Sequence, residues 1–107
     1  MQETLNWHYN GNPDMVAYYA ESDLAPEEVR LMSLNPAGKG ECQVDIRADG
    51  VSILSEYIGI SGENTLQEIG ASFTGGITKG QVVTCHVVDT GGISRLSIQL
   101  LTSTEEQ

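Results

Sequence analysis

The chain has 107 residues, fifteen acidic against five basic, and a formal net charge of −10. That length suits one domain with a single core, and the charge argues against nucleic acid as a partner, because phosphate contacts need Lys and Arg to displace counterions. No segment reaches the roughly eighteen apolar residues of a membrane helix, and the N-terminus lacks the basic region and apolar run of a secretory signal, so a soluble, unprocessed chain is expected.

Residues 1–14 hold Leu5, Trp7, His8 and Tyr9 and then the breaker run Asn10-Gly-Asn-Pro-Asp14, which predicts an N-terminal arm and linker. Residues 15–102 read as the folded domain and 103–107 as a frayed tail. Met15 to Glu21 is rich in Val and Tyr, and Val29 to Leu34 alternates moderately before Asn35-Pro-Ala-Gly38, so both are expected strands. Between them, Ser22 to Glu28 is expected to be a loop that can hold one helical turn, with Pro26 near its start.

The stretch from Val44 through Asp49-Gly50 to Leu54 is the clearest hairpin in the chain: Glu41 to Arg47, a tight turn, then Val51 to Ser55. Tyr57, Ile58 and Ile60 lead into the turn cluster Ser61-Gly-Glu-Asn64, after which Thr65 to Phe73 reads as a strand weakened by Gly70. Lys79-Gly80 precedes the strongest strand signal, Val82 to Val88, and Asp89-Thr-Gly-Gly92 turns into Ile93 to Thr102, where Leu96, Ile98 and Leu100 alternate with Ser97 and Gln99. About seven or eight short strands with turn signals roughly every ten residues predict an all-β chain. The expected architecture is an antiparallel β-sandwich, jelly-roll or immunoglobulin-like.

Little here promises catalysis. Cys85 and His86 are neighbours on a strand and therefore point to opposite faces, which disfavours a nucleophile and base pair. Cys42 shares a face with Val44 and Ile46, and Cys85 with Val83 and Val87, so both are expected in the core. Two reduced thiols is the leading expectation and a disulfide between the strands the alternative. Asp45, Asp49 and Gly50 echo a calcium loop faintly, but Arg47 stands where an acidic ligand is needed, so hairpin and solvated-face roles are preferred. The glycine pairs at 75–76 and 91–92 lack the setting of a phosphate loop. No catalytic, metal-binding or cofactor-binding residue is assigned, and no cofactor is expected. Trp7, Tyr9, Tyr18, Tyr19 and Tyr57 suit packing or subunit contacts better than stacking on sugars.

The order of "VDIRADGVSIL", a turn at Gly62, "GITKGQVVTCHVV" and "SRLSIQLLT" resembles a group of small β-sandwich virion proteins of tailed bacteriophages. The similarity spans about residues 29–102, and Cys85-His86-Val87 stands where an acidic residue is usual. The resemblance implies a non-enzymatic structural role in the virion, assembled in the host cytoplasm: a capsid decoration (cement) protein or a neck or tail accessory. Its implied partners are the major capsid protein or another virion protein, and further copies of itself, with a trimer expected at local threefold positions. Leu5, Trp7 and Tyr9 are the candidate partner-interface residues, on an arm that should be removable without loss of the fold. From another class, the alternative is a carbohydrate-binding module for host-surface recognition.

The acidic excess repels itself across the folded surface, over a range that salt cuts to about 8–10 Å. The melting temperature is therefore expected to rise between low and moderate salt in a thermal-unfolding series. A flat or falling response contradicts net self-repulsion.

Overall fold

The computed structural model describes residues 2–12, 14–33, 41–61, 66–69, 73–91 and 95–104, all of which lie in strands, bridges, turns and loops. No helix among the described residues is long and apolar enough to cross a membrane. Among the described residues nine strand segments follow one another: β1 (Gln2–Tyr9), β2 (Tyr18–Tyr19), β3 (Leu24–Met32), β4 (Glu41–Ala48), β5 (Val51–Ser52), β6 (Ile58–Ser61), β7 (Leu66–Ile69), β8 (Val82–Asp89) and β9 (Leu96–Thr104). One sheet has the order β1-β9-β3-β7 and the other β2-β8-β4-β5, with β6 also paired to β4. Every pairing is antiparallel.

This order decides the topology. β1 pairs β9, β2 pairs β8, β3 pairs β7 and β4 pairs β6, so the pairings nest as in one long hairpin. Contacts of β9 with β3 and of β8 with β4 roll that hairpin into two layers. β5 and β6 lie along the same side of β4, because both pair with residues whose other neighbour is β8. Taken as one interrupted strand, they leave eight strand positions and the pattern of a jelly-roll rather than an immunoglobulin sandwich.

The period-two alternation puts the expected residues inside. Cys42, Val44, Ile46 and Ala48 of β4 face Leu96, Ile98 and Leu100 of the other sheet's β9 across one core, which also contains Val29 and Leu31 of β3. The β4–β5 hairpin turns on two residues, Asp49 at φ 52° and Gly50 at φ 83°, the primed geometry whose twist matches the strands. Asp49 then ties the turn to β8: its N–H donates to the Val82 carbonyl, and its carboxylate accepts from the Val82 N–H, both at 2.8 Å.

Four expectations are corrected. Residues 1–14 are not an arm followed by a linker, since Gln2–Tyr9 pair with Leu96–Ser103 along eight residues and Leu5 and Trp7 are buried. The breaker run at 10–14 misled because it ends a strand instead of separating an arm from a domain. Ser22 to Glu28 is not a loop: β3 starts at Leu24, and Pro26 is tolerated where the register to β9 shifts between Pro26 and Glu28. Of the expected strand from Met15 to Glu21, only Tyr18–Tyr19 pair. Ser103 and Thr104, placed in the tail, belong to β9, while 105–107 lie outside the described residues. The breaker at 35–38, the turn at 62–64 and Gly70 also lie outside them.

Trp7 is 1% exposed, and truncating a buried Trp to Ala costs about 3–5 kcal/mol. Trp7→Ala is therefore expected to lower unfolding free energy by that amount in urea titration, and deletion of residues 1–9 to abolish the cooperative transition. A truncated chain that unfolds like the full one contradicts the place of β1 in the sandwich.

Candidate functional site

The three residues proposed from sequence as partner anchors do not form a surface. Leu5 and Trp7 alternate inward from β1, and Tyr9 packs against the same core. The Trp7 indole meets the Tyr18 ring edge-on, with centroids 5.4 Å apart at 89°. Its Nε1–H donates to the Val16 carbonyl at 2.6 Å, while the Tyr18 hydroxyl donates to the Asn6 carbonyl at 2.5 Å. These polar ends are satisfied in place, so the aromatics hold the 15–19 segment against β1.

The two thiols are not joined. Ile46 is the residue opposite Cys85, and Cys42 lies four positions along β4 from Ile46. At about 3.3 Å per residue that offset far exceeds the reach of a disulfide. Burial, with smaller contributions from Asp45 and Cys42, pushes the Cys85 thiol up to about 12, so it stays protonated and unreactive at neutral pH.

The outer face of the five-stranded sheet carries a polar cluster that sequence reasoning missed. Asp45, expected to be solvated, is 2% exposed. Its Oδ1 accepts from Ser52 Oγ at 2.5 Å, and its Oδ2 pairs with Arg47 Nε at 3.0 Å. Arg47 sits two positions along the same face and Ser52 lies opposite Arg47 across the hairpin, so the signal was the i, i+2 spacing read with the turn. His86 is the register partner of Asp45, and its Nε2 is 2.9 Å from Thr84 Oγ1. Partial burial first, and then Arg47, lower the His86 pKa, while Asp45 opposes the shift.

This cluster has no apparatus for nucleophilic catalysis. Ser52 donates to a carboxylate rather than to a histidine, and His86 is bonded to a threonine. Among the described residues no group of three or more His, Cys, Asp or Glu side chains could hold a metal ion.

Around the β4–β5 turn the surface is apolar instead. Tyr19 is 64% exposed and lies opposite Val82 at 40%. Val51, at 69%, is also exposed, but it lies opposite Ala48, whose other partner is Val83, so it faces the other side of the sheet from Val82 and Tyr19. Tyr57 is exposed too, but it precedes β6 on the opposite edge of this sheet from β2. Tyr19 and Tyr57 therefore do not share one stacking surface.

Between β1 and β2 the sandwich has an open side, since each is the terminal strand of its sheet. A cleft of about 160 Å³ lies there, floored by Leu5, Leu24 and Val83 and walled by Tyr18 and Tyr19. Glu3 and Glu21 stand on its rim.

No family model and no curated protein matches this chain. Two solved structures are similar. One is the Drosophila NLP core, described in terms of pentamer formation and histone binding, at 13% identity and a TM-score of 0.58, covering 99% of this chain and 100% of that one. The other is the catalytic domain of a GH87 α-1,3-glucanase in complex with tetrasaccharides, at 16% identity and a TM-score of 0.53, covering 94% of this chain but only 22% of the glucanase chain. At such identities both similarities define the class of fold alone.

Because the His86 pKa lies below its ordinary 6.5 in the folded state, the unfolded chain binds the extra proton more readily. The contribution is complete above about pH 6.5 and is lost as pH falls through the lowered folded value. Urea unfolding at pH 7.5 and 5.5 is expected to show a larger loss for wild type than for His86→Gln. Equal losses contradict the assignment.

Proposed function

We propose that this chain is a non-enzymatic structural protein that acts by binding other proteins and forms a homo-oligomer. The observation that carries the reading is the exposed apolar pair Tyr19 and Val82, opposite one another on β2 and β8. Exposed apolar side chains gathered at one place, unlike scattered ones, mark association surfaces, and a tyrosine with one wet side suits an interface. The polar residues nearby are engaged with one another instead of converging on a reactive group. A jelly-roll core supports such a role by holding its rims rigid.

The setting we propose is the tailed-phage virion, as a capsid decoration protein or a neck or tail accessory. It rests on the sequence resemblance over residues 29–102, and the loss of Leu5 and Trp7 as anchors moves the proposed contact to the β2–β8 end. The Drosophila NLP core, similar over its whole length, is described in terms of pentamer formation, so a fold of this kind and size is compatible with assembly into an oligomer. For this chain a trimer follows only from decoration of threefold positions. The carbohydrate-binding reading loses its main support, since Tyr19 and Tyr57 are on opposite edges.

Light scattering after size exclusion is expected to give a multiple of the 11.5 kDa chain mass. Val82→Glu is expected to reduce it to one chain mass while circular dichroism stays β-type. A single-chain mass for wild type at all accessible concentrations removes self-association. Failure of the wild-type chain to sediment with purified particles of a phage that encodes it removes the virion setting.

A further inference from the structure

We infer that the cleft between β1 and β2 receives a lysine or arginine side chain presented by an extended segment of a different protein. The site shares Tyr19 with the apolar contact proposed above and does not depend on self-association.

The floor decides the shape of the ligand. Leu5 and Leu24, at 8% and 4% exposure, leave a small apolar surface over the fully buried Val83, so the bottom of the cleft favours the methylene groups of a side chain over water. The rim decides the charge. Glu3 and Glu21 are exposed, and neither is engaged in an ion pair among the described residues. An apolar floor under an anionic rim matches a long cationic side chain, whose aliphatic stem lies on the floor while its head stays at the wet rim. The Tyr18 and Tyr19 walls add aromatic surface against which such a cation is favourable. A volume of about 160 Å³ accommodates one such side chain, not a folded element.

The backbone decides that the cation arrives on a strand. Among the described residues β1 pairs with β9 alone, so its other edge is open to a partner chain. In an antiparallel pair the outward-pointing backbone groups belong to alternate residues. The Asn6 carbonyl is on the outward side, since the Tyr18 hydroxyl donates to it, which places the N–H and C=O of Thr4 outward as well. The Thr4 carbonyl accepts from the Asn6 side-chain amide at a long 3.5 Å. Thr4 lies between Glu3 and Leu5, at the mouth of the cleft, so an extended segment pairing there sets its next side chain over the floor.

The occupant is foreign, not a second copy. The chain has five basic residues, of which the nearest two, Lys39 and Arg47, are eight positions apart. Arg30 and Arg47 are already ion-paired to Glu28 and Asp45. At a net charge of −10, a second copy brings repulsion to this rim, whereas a basic segment is drawn to it.

The test uses the capped pentapeptide Val-Thr-Lys-Val-Thr and its counterparts with norleucine or glutamate in place of lysine, titrated into the full chain and followed by amide chemical shifts. The lysine peptide is expected to shift the amides of Thr4, Leu5, Tyr19, Glu21 and Val83 and to bind about fivefold tighter than the norleucine peptide, as two exposed carboxylates warrant. In Glu3→Lys/Glu21→Lys, whose changes fall on exposed positions, that preference is expected to vanish while the melting curve remains cooperative. The inference is overturned if the shifts miss the cleft, if norleucine or glutamate binds as well as lysine, or if the double variant keeps the preference. Repeating the titration on Val82→Glu, which leaves the cleft lining unchanged, keeps the result separate from self-association.

Discussion

The seating of Trp7 is the constraint on which the rest of this structure depends. One side chain joins the first strand to the core, stacks edge-on with Tyr18 and donates to the Val16 carbonyl. The anchor acts in two directions. It commits β1 to pairing with β9, the first and last strands of the roll, and it carries the 15–19 segment across to start the second sheet. The open side between β1 and β2 has its shape because an aromatic pair spans it at one end and leaves the Glu3 end unfilled.

Buried apolar surface alone leaves the second sheet's outer face unexplained. There a carboxylate is almost completely withdrawn from water, a cost offset by a hydroxyl and a guanidinium bonded to it. Removing either partner leaves a buried charge, which makes the group a strong specifier of the β4–β5 register. Asp49 adds a second tie between the hairpin and β8. The apolar surface formed by Tyr19 and Val82 is thereby held on a rigid frame, as a contact surface requires. Its neighbour, the cleft, differs in chemistry: anionic at the mouth and apolar below.

Much of this fold was legible in the sequence wherever alternation was uninterrupted. The inward set of β4, the Asp49-Gly50 turn, the strand from Val82 and the alternation of Leu96, Ile98 and Leu100 all follow from period two and turn chemistry. The N-terminus was misread because a breaker run after a strand looks the same as one after an arm, and only long-range pairing with β9 separates the two. Pro26 was read as a helix starter because its tolerance at a register shift is a property of the pairing, not of the residue. Topology was invisible for the same reason, since nesting of the pairings is a relation between distant segments. As for the site, Asp45 was placed in solvent because its partners, one on its own strand and one across the turn, had to be read together.

Amide hydrogen exchange of β1 tests the central claim most directly, because both the roll and its open side require Gln2–Tyr9 to be a paired strand. The account predicts that Leu5, Trp7 and Tyr9 exchange as slowly as their β9 partners Leu100, Ile98 and Leu96, with the Trp7 indole proton protected as well. Exchange of these amides at the rate of an unstructured peptide, while β9 stays protected by β3, would contradict it.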